Sequence, residues 1–339
     1  MTETTELRIG VVGAGLMGAD HVTRINHRVS GATVTAIVEP DEARASAAVA
    51  QTPGAVAFRR IEDAIEADAV DAVLVATPGR FHEPVLLPAL EAKLAILCEK
   101  PLTPDSESSL RVLEAEQRLD RPHIQVGFMR RFDPEYIQLR RLVESGDAGG
   151  LITLHCAHRN QKTGEGYVDS MLITDSVVHE FDIVPWLVGS PIASVEVRKL
   201  KRNTLAPSWL NDPQFVMIET ESGVLANVEI NVNIQFGYQV ATEAVFEKGV
   251  AQIGRSAGIG VFRDGSFQVA EHQDFRTRFS AAYDTQVQRW VDAVKRGEID
   301  GPSAWDGYRV AAACEAGVEA QATGRRVDVN YIHKPAFYA

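Results

Sequence analysis

The sequence predicts a two-part α/β protein, in which a doubly wound parallel sheet is followed by a mostly antiparallel sheet with helices on one face. Apolar strand patterns alternate with helical patterns up to about residue 126, which is typical of a parallel sheet. Period-two strand patterns dominate from residue 151 onward and predict the second sheet. Since 339 residues suffice for two domains, we predict one domain at 1–126 and a second at 127–339.

The first strand and helix flank a glycine motif. An apolar run at 7–12 is followed by Gly13, Gly15 and Gly18, which form G-x-G-x-x-G and open a helical pattern. In a nucleotide-binding turn the first glycine permits the tight turn, the second admits a pyrophosphate, and the third lets helix and strand pack closely. The helix N-terminus offers N–H groups and a positive dipole end to phosphate. This context predicts that 1–126 is a Rossmann domain that binds a dinucleotide.

The second strand, at 32–40, ends on Glu39, twenty-one residues after Gly18. An acidic side chain at this place hydrogen-bonds the adenosine ribose and repels a 2′-phosphate, so the pattern favours NAD over NADP. The alternative is that Glu39 only ends a strand before a turn.

The alternation continues along the first domain, with strands predicted at 70–78, 95–101 and 123–129. A helix is predicted at 82–93, in which Pro88 should cause a kink. A further helix is predicted through about Leu119, with Thr103 as its N-cap.

Lys100 directly follows the strand at 95–99 and precedes Pro101. The carboxyl ends of parallel strands point into the ligand crevice, which would bring this ammonium close to a nicotinamide. A cis bond before Pro101 is an option that would aim the side chain sharply. Because lysine is nearly always exposed, a solvated surface lysine is the alternative.

The composition excludes several classes of partner. The 46 acidic and 34 basic residues give a net charge of -12, which argues against binding to nucleic acid or to an anionic membrane. The polar N-terminus has no apolar segment of a leader behind it, and no run of about 18 apolar residues occurs. The three cysteines, Cys98, Cys156 and Cys314, form no CxxC pair, so we expect a reduced, cytoplasmic protein.

The second domain is predicted to hold at least five strands and three helices. The strands lie in ITLHCAHR, ASVEVRKLKR, QFVMIETE, VLANVEINVN and YQVATEAVFE. One helix is predicted at 175–188, with Pro185 near its end, and two closing helices at 281–297 and 304–323 are expected to pack back on the first domain. One sheet face can carry a substrate site. The other must pack against another surface, because an apolar sheet face exposed to water is unfavourable. We therefore expect a homo-oligomer, a dimer or a tetramer, formed through this sheet.

The segment DSVVHEFD places Asp175 four residues before His179, so the two side chains would share a helix face. The structural alternative makes Asp175 a helix N-cap and His179 a residue with a local partner. Together with a nucleotide site and Lys100 at one crevice, the pair favours catalysis. Oxidising a secondary alcohol needs a base for its proton, and histidine titrates near neutral pH.

The assembled motifs resemble the glucose–fructose oxidoreductase/inositol dehydrogenase (Gfo/Idh/MocA) family. The resemblance covers nearly the whole chain and rests on GAGLMG, Glu39, EKP at 99–101, VGFMRRFD, HCAHRN and DSVVHEFD. It implies NAD-dependent oxidation of a cyclic polyol, with myo-inositol oxidised to 2-keto-myo-inositol. Scyllo- or chiro-inositol or a pyranose sugar is the alternative substrate. The family position of Ser176 is often threonine.

The resemblance also implies the roles of individual residues. The implied catalytic residues are Lys100, Asp175 and His179. The residues implied to border NAD are Gly13, Ala14, Gly15, Leu16, Met17, Glu39, Thr77, His82, Glu99 and Lys100. The residues implied to line the polyol pocket are Lys100, Met129, Arg130, His158, Asp175, Ser176, His179 and Tyr238.

Two other classes of function compete with a dehydrogenase. A zinc-dependent lyase or hydrolase would use Asp175 and His179 with His155 and His158, but it would leave the glycine motif without a purpose. A non-catalytic NAD-binding sensor would keep the fold without turnover. We expect no metal site.

Overall fold

The computed structural model of the chain describes residues 6–254 and 257–339. The chain divides into two compact units. Unit 1 comprises the residues up to Phe128 together with Tyr283–Ala311 and Ile332–Ala339, and unit 2 comprises Met129–Ala282 and Ala312–Tyr331. The exact domain boundary after residue 126 stays a prediction.

Unit 1 is built on a six-stranded parallel sheet. Its strands are β1 (Leu7–Val12), β2 (Ala32–Val38), β3 (Val56–Phe58), β4 (Ala72–Val75), β5 (Ala95–Cys98) and β6 (Ile124–Val126). Their order across the sheet is β3-β2-β1-β4-β5-β6, and every neighbouring pair is parallel. The order reverses between β1 and β4, which is the switch point at which such sheets bind ligands. The predicted doubly wound sheet is confirmed.

The helices of the N-terminal part of unit 1 alternate with these strands. They are α1 (Leu16–Arg28), α2 (Glu42–Ala50), α3 (Ile61–Glu66), α4 (Glu83–Glu91) and α5 (Ser106–Glu116). The predicted N-cap of α5 is wrong, because Asp105 and not Thr103 accepts the Ser108 N–H at 2.7 Å. An aspartate two residues further on competes for the same capping role. The Thr103 hydroxyl instead lies 2.6 Å from that of Ser109.

Unit 2 is built on a seven-stranded sheet. Its strands are β7 (Leu151–Arg159), β8 (Ile192–Lys199), β9 (Gln214–Thr220), β10 (Leu225–Asn231), β11 (Gln239–Phe246), β12 (Gly249–Ile253) and the short edge strand β15 (Val327–Asp328). Strands β13 (Ala257–Arg263) and β14 (Ser266–Ala270) form a separate hairpin. The order is β12-β11-β7-β10-β9-β8-β15, and all neighbours are antiparallel except β7 and β10. The predicted mostly antiparallel sheet is confirmed.

One face of this sheet is buried under helices. In β7 the side chains of Leu154, Cys156 and His158 are buried, whereas those between them are more exposed, as the period of two requires. The helices of unit 2 are α6 (Pro134–Ser145), α7 (Asp169–Met171), α8 (Val178–Val188) and α9 (Phe275–Arg278). Helix α8 packs against β9 and is buried at every residue from Val178 to Pro185. It runs through Pro185 and ends at Gly189, whose φ of 73° closes the helix.

Two long helices, α10 (Ser280–Val294) and α11 (Ala304–Thr323), follow near the end of the chain. Within unit 1, Val287, Trp290 and Val291 of α10 belong to the same apolar core as the strands of the parallel sheet. Buried Arg24 of α1 also donates to Asp284 of α10 at 2.7 Å. The core of unit 1 therefore needs residues from both ends of the chain. None of the helices in the described ranges combines the length and apolarity that a membrane crossing requires.

Candidate active site

The glycine turn of unit 1 joins β1 to the N-terminus of α1. Gly13 has a φ of +94°, and a Cβ there would lie 3.0 Å from the Ala76 backbone, so the turn admits only glycine. A Cβ on Gly18 would lie 1.8 Å from the Gly13 carbonyl oxygen. Gly15 differs, because a Cβ there meets nothing within 4 Å. Neither the fold nor the backbone conformation requires glycine at 15, which leaves close approach of a ligand as its reason.

The first turn of α1 fits a pyrophosphate. Gly15 is its N-cap, and no side chain caps the helix. Leu16 begins the helix with 63% of its surface exposed, and Met17 is partly buried. Among the described residues, the buried Thr77 Oγ1 beside Gly13 has no hydrogen-bond partner. Open N–H groups and an unsatisfied hydroxyl are what the phosphates and ribose of a dinucleotide would satisfy.

Glu39 directly follows β2 and turns back toward the glycine turn. Its carboxylate accepts the N–H of Ala14 at 2.9 Å and that of Asp41 at 3.1 Å, and it pairs with Arg44 at 3.0 Å. Burial raises the pKa of Glu39, but these donors outweigh it and hold the pKa below its usual value. The side chain is therefore ionised at neutral pH and lies beside the turn, as its predicted ribose-binding role needs.

The strand-end lysine follows a buried carboxylate. Glu99 is buried and lies 2.8 Å from His21 Nε2 of α1, and its other oxygen accepts the Lys100 N–H at 3.3 Å. The Lys100–Pro101 peptide bond is cis. A Cβ on Gly127 would lie 3.0 Å from the Glu99 carboxylate, so the next strand end closes tightly on it. Glu99 thus holds the backbone from which the Lys100 side chain extends.

His82 occupies a structural position. Its ring is fully buried, with Nδ1 2.7 Å from the Pro101 carbonyl oxygen and Nε2 2.7 Å from that of Thr77. Burial lowers the pKa of His82 despite these contacts. The ring therefore ties two strand-end turns together. The predicted contact of His82 with NAD stays a prediction.

The segment before α8 departs from the predicted geometry. Residues Leu172–Val177 form a π-helical turn, in which the Val178 N–H reaches back to the Ile173 carbonyl. Helical backbone begins at Asp169, so the prediction that Asp175 opens the helix is wrong. The wider π turn also alters the stacking expected for residues four apart. Asp175 is exposed, whereas His179 is 8% exposed.

A buried charged network lies beside His179 and was missed by sequence reasoning. Glu180 is 1% exposed and pairs with Arg130, which is equally buried. His158 Nδ1 lies 3.2 Å from Glu180 Oε2 and 3.2 Å from Arg130 Nη2. Burial raises the pKa of Glu180, but Arg130 and His158 outweigh it and bring it to about 2. A glutamate within the otherwise apolar stretch VVHEF was a usable signal, since buried charges are paired.

The remaining predicted pocket residues of unit 2 gather around this network. The ring of His158 lies 6.3 Å from that of His179 and 6.3 Å from that of Tyr238. Tyr238 is buried, and burial raises the pKa of its phenol, which therefore keeps its proton. Met129 is buried at the start of the short turn that also carries Arg130. The structure thus brings His158, His179, Tyr238 and Arg130 together within unit 2.

Ser176 lies in the π turn and is 3% exposed. Its hydroxyl oxygen is 2.8 Å from the Tyr167 hydroxyl, which also donates to the Met171 carbonyl at 2.7 Å. Tyr167 is a second residue that sequence reasoning missed, because it lies in a loop without a recognisable motif.

The four side chains of a hypothetical zinc site are not assembled. His155 is exposed and His158 is buried, because residues an odd number apart on β7 face opposite sides of the sheet. Within residues 6–254 and 257–339 no group of three or more His, Cys, Asp or Glu side chains is placed to hold a metal ion.

The fold and these side chains define a class of protein, a two-unit oxidoreductase with a Rossmann dinucleotide-binding fold. Two models of one oxidoreductase family match the chain, the NAD-binding Rossmann fold at residues 7–128 and the C-terminal α/β domain at residues 140–329. The chain belongs to this family, the Gfo/Idh/MocA oxidoreductases.

Relatives and a solved structure resemble the chain over 98% or more of its length. A protein of Corynebacterium glutamicum named inositol 2-dehydrogenase is 66% identical over 98% of this chain and 99% of its own length. A protein of Leifsonia xyli subsp. xyli with the same name is 60% identical over all of both chains. The crystal structure of myo-inositol dehydrogenase from Lactobacillus casei, in complex with NAD(H) and myo-inositol, matches with a TM-score of 0.95 at 31% identity, covering 99% of this chain and 100% of that one.

Proposed function

We propose that this chain is an NAD-dependent polyol dehydrogenase that oxidises the carbon-2 hydroxyl of myo-inositol to 2-keto-myo-inositol. One observation carries the proposal: the chain matches, over 99% of its length, a structure that holds NAD(H) and myo-inositol. The names of the 60–66% identical relatives agree with it. Oxidation of scyllo-inositol, chiro-inositol or a pyranose sugar would need the same chemistry. Only the contacts between the substrate and the pocket would differ.

Unit 1 would hold NAD, whose nicotinamide supplies the hydride acceptor when bound. The first turn of α1 offers its N–H groups to the pyrophosphate, and Gly15 leaves room for it. Glu39 would accept a hydrogen bond from the adenosine ribose. The other residues proposed to border the dinucleotide are Gly13, Ala14, Leu16, Met17, Thr77, His82, Glu99 and Lys100.

The proton of the reacting hydroxyl goes to His179 in this proposal. A secondary alcohol does not ionise at neutral pH, so a base must take its proton as the hydride leaves. The ammonium of Lys100 stabilises the negative charge that develops on the oxygen. Asp175 orients the imidazole, stabilises its cation or binds a neighbouring hydroxyl.

The other hydroxyls of the polyol need both donors and acceptors. His158, Ser176 and Tyr238 supply them, and Met129 would close the pocket with an apolar surface. Arg130 lines the same region, and its two terminal nitrogens hold Glu180 and His158. The geometry therefore supports an indirect role for Arg130 beside any direct contact.

A homo-oligomer is the proposed assembly, formed through the sheet of unit 2. Its second face, called here the open face, contains His155, Ala157 and Arg159 of β7 and a depression of about 290 Å³. The β13–β14 hairpin also exposes Ile259 (81%) and Phe262 (83%). Exposed apolar side chains such as Ile259 and Phe262 are costly in water, and a second copy of the chain would cover them. Light scattering would show a dimer or tetramer that Phe262→Ser weakens, and a monomeric wild type would contradict this assembly.

The cytoplasm is the proposed location. Cys98 and Cys156 are buried thiols, and burial raises the pKa of Cys156 to about 12, which suits structural thiols in a reducing compartment. Recovery of the protein in the periplasmic or secreted fraction of its host would contradict this location.

Turnover with a panel of polyols tests the proposed function. Purified protein is mixed with NAD and myo-, scyllo- or D-chiro-inositol, D-glucose or D-xylose, and NADH absorbance is followed. The expected result is the fastest turnover on myo-inositol. Turnover on another polyol alone would retain the chemistry and reassign the substrate. Tight NAD binding without turnover on any of them, with NADP tried as well, would contradict the proposal and favour a sensor.

A further inference from the structure

We infer that Tyr167 fixes the Ser176 hydroxyl as a hydrogen-bond acceptor, so that Ser176 selects a ring position of the polyol that carries a hydrogen-bond donor. The inference rests on the proposed function, because that proposal places Ser176 in the polyol pocket. It adds Tyr167 as a positioning residue that determines specificity without touching the substrate.

The direction of the hydrogen bonds follows from counting protons. The Tyr167 hydroxyl oxygen lies 2.7 Å from the Met171 carbonyl oxygen and 2.8 Å from Ser176 Oγ. A carbonyl oxygen carries no proton, so the first contact is a hydrogen bond only if Tyr167 donates its single proton there. The Ser176 hydroxyl must then donate to Tyr167. Only the lone pairs of Ser176 remain for a ligand.

The surroundings keep this arrangement in place. Burial raises the pKa of Tyr167, so the phenol is protonated throughout the range in which the enzyme would work. Ser176 is 3% exposed, so water cannot readily replace Tyr167 as the acceptor of its proton. Trp209 Nε1 donates to the Tyr167 carbonyl at 3.1 Å and ties down its backbone. Met171 immediately precedes the π turn that carries Ser176. The Tyr167 hydroxyl therefore contacts both the residue before this turn and the serine within it.

An acceptor-only serine has a specific consequence for recognition. A polyol hydroxyl can donate to it, whereas a C–H or C–F group at the same ring position cannot. A buried acceptor left unsatisfied costs about 10- to 100-fold in affinity. Fluorine, which accepts weakly and does not donate, therefore distinguishes this arrangement from a serine that donates.

The experiment compares mono-deoxy and mono-fluoro analogues of myo-inositol, changed at each non-reacting ring carbon, by kcat/KM with saturating NAD. For the wild type we expect one position at which both analogues lose roughly 10- to 100-fold and fluorine gives no advantage over hydrogen. At that position Ser176→Ala should remove most of both losses. Turnover of unmodified myo-inositol, measured alongside, tests the proposed function separately.

The decisive variant is Tyr167→Phe, which removes the partner of the serine proton and keeps the ring. In this variant the Ser176 hydroxyl has lost its acceptor and can turn to donate to the ligand. The kcat/KM of the fluoro analogue should therefore exceed that of the deoxy analogue about fivefold at the same position. Tyr308→Phe is the matched control, because Tyr308 is also buried and its hydroxyl accepts the Ile332 N–H at 3.0 Å in unit 1. It should leave the ratio of fluoro to deoxy activity unchanged.

Three outcomes would overturn the inference. A wild type that prefers fluoro over deoxy analogues at the position sensitive to Ser176→Ala would show that Ser176 donates. An unchanged ratio in Tyr167→Phe, with turnover retained, would make Tyr167 a packing residue only. A wild type that turns over no cyclic polyol would remove the proposed function and this inference with it. If Tyr167→Phe fails to fold, the wild-type and Ser176→Ala ratios still decide the polarity of Ser176.

Discussion

The glycine turn of unit 1 and the buried polar network of unit 2 are encoded in different ways. The turn lies within six residues, and backbone conformation and clearance at Gly13, Gly15 and Gly18 define it. The network instead depends on side chains 28 and 50 residues apart, since Arg130 contacts both His158 and Glu180. Local backbone requirements leave a readable motif, whereas a buried side-chain network becomes visible only after folding.

The largest expected effect comes from removing the two groups proposed to react with the substrate, Lys100 and His179. Lys100→Met and His179→Ala should each lower kcat about 10³-fold or more, because one removes the charge that stabilises the alkoxide and the other the base. NAD affinity, measured by calorimetry, should stay within about threefold of the wild type, since both variants keep the glycine turn and Glu39, and Lys100 is only one of the many residues proposed to border the dinucleotide. Near-normal turnover in both variants would contradict the proposed mechanism.

Breaking the buried network should come next. Glu180→Gln leaves Arg130 without its anion and should lower the free energy of unfolding by about 3–5 kcal/mol, measured by denaturant titration. The KM for myo-inositol should rise as His158 loses its anchor. Glu298→Gln is the control, because its exposed ion pair with Arg296 should contribute nothing measurable. Equal stability of the two variants would show that the network does not stabilise the folded protein.

The stability difference between the wild type and Glu180→Gln should depend on pH with a defined sign. The pKa of Glu180 falls from its ordinary 4.5 to about 2 on folding, so its contribution is complete above pH 4.5 and is lost as the pH falls toward 2. The stability gap between wild type and Glu180→Gln should therefore narrow between pH 7 and pH 3.5. A gap that widens on acidification would mean that Glu180 is not ionised in the folded protein.

The glycine turn can be divided into a folding part and a ligand part. Gly18→Ala should destabilise the protein by about 1–3 kcal/mol, because its Cβ would lie 1.8 Å from a backbone oxygen. Gly15→Ala should leave the melting temperature unchanged and weaken NAD binding about 10-fold or more, since only the ligand would meet the added methyl group. Unchanged NAD affinity in folded Gly15→Ala would place the pyrophosphate elsewhere.

Cofactor preference should show the smallest effect. Glu39→Ser removes the carboxylate that now pairs with Arg44, and the released guanidinium can attract a 2′-phosphate. The ratio of kcat/KM for NADP to that for NAD should rise about 10-fold. The double variant Glu39→Ser/Arg44→Ala should lose much of this gain, whereas Arg59→Ala, another exposed arginine nearby, should not change the ratio. An unchanged ratio in Glu39→Ser would show that Glu39 is not at the ribose.

Sequence reasoning reached the fold because the periodicities of both sheets are strong and local. It placed Glu39 beside the glycine turn because the end of β2 sets that position. It missed the π turn at Leu172–Val177, since the sequence carries no marker for a change in helical pitch. It also missed Glu180 and Tyr167, whose partners lie on other elements or in loops. The error at Thr103 arose because two capping residues compete within three positions.

The presence of Val287, Trp290 and Val291 in the core of unit 1 has a consequence for synthesis of the chain on the ribosome. All strands of the parallel sheet emerge by residue 126, but the helix that completes their core follows more than 150 residues later. At ordinary elongation rates the delay is roughly 10 to 30 seconds. During this time the apolar surface that Trp290 will cover is open to chaperones, and strands β7–β14 of unit 2 are synthesised before the helix that covers it.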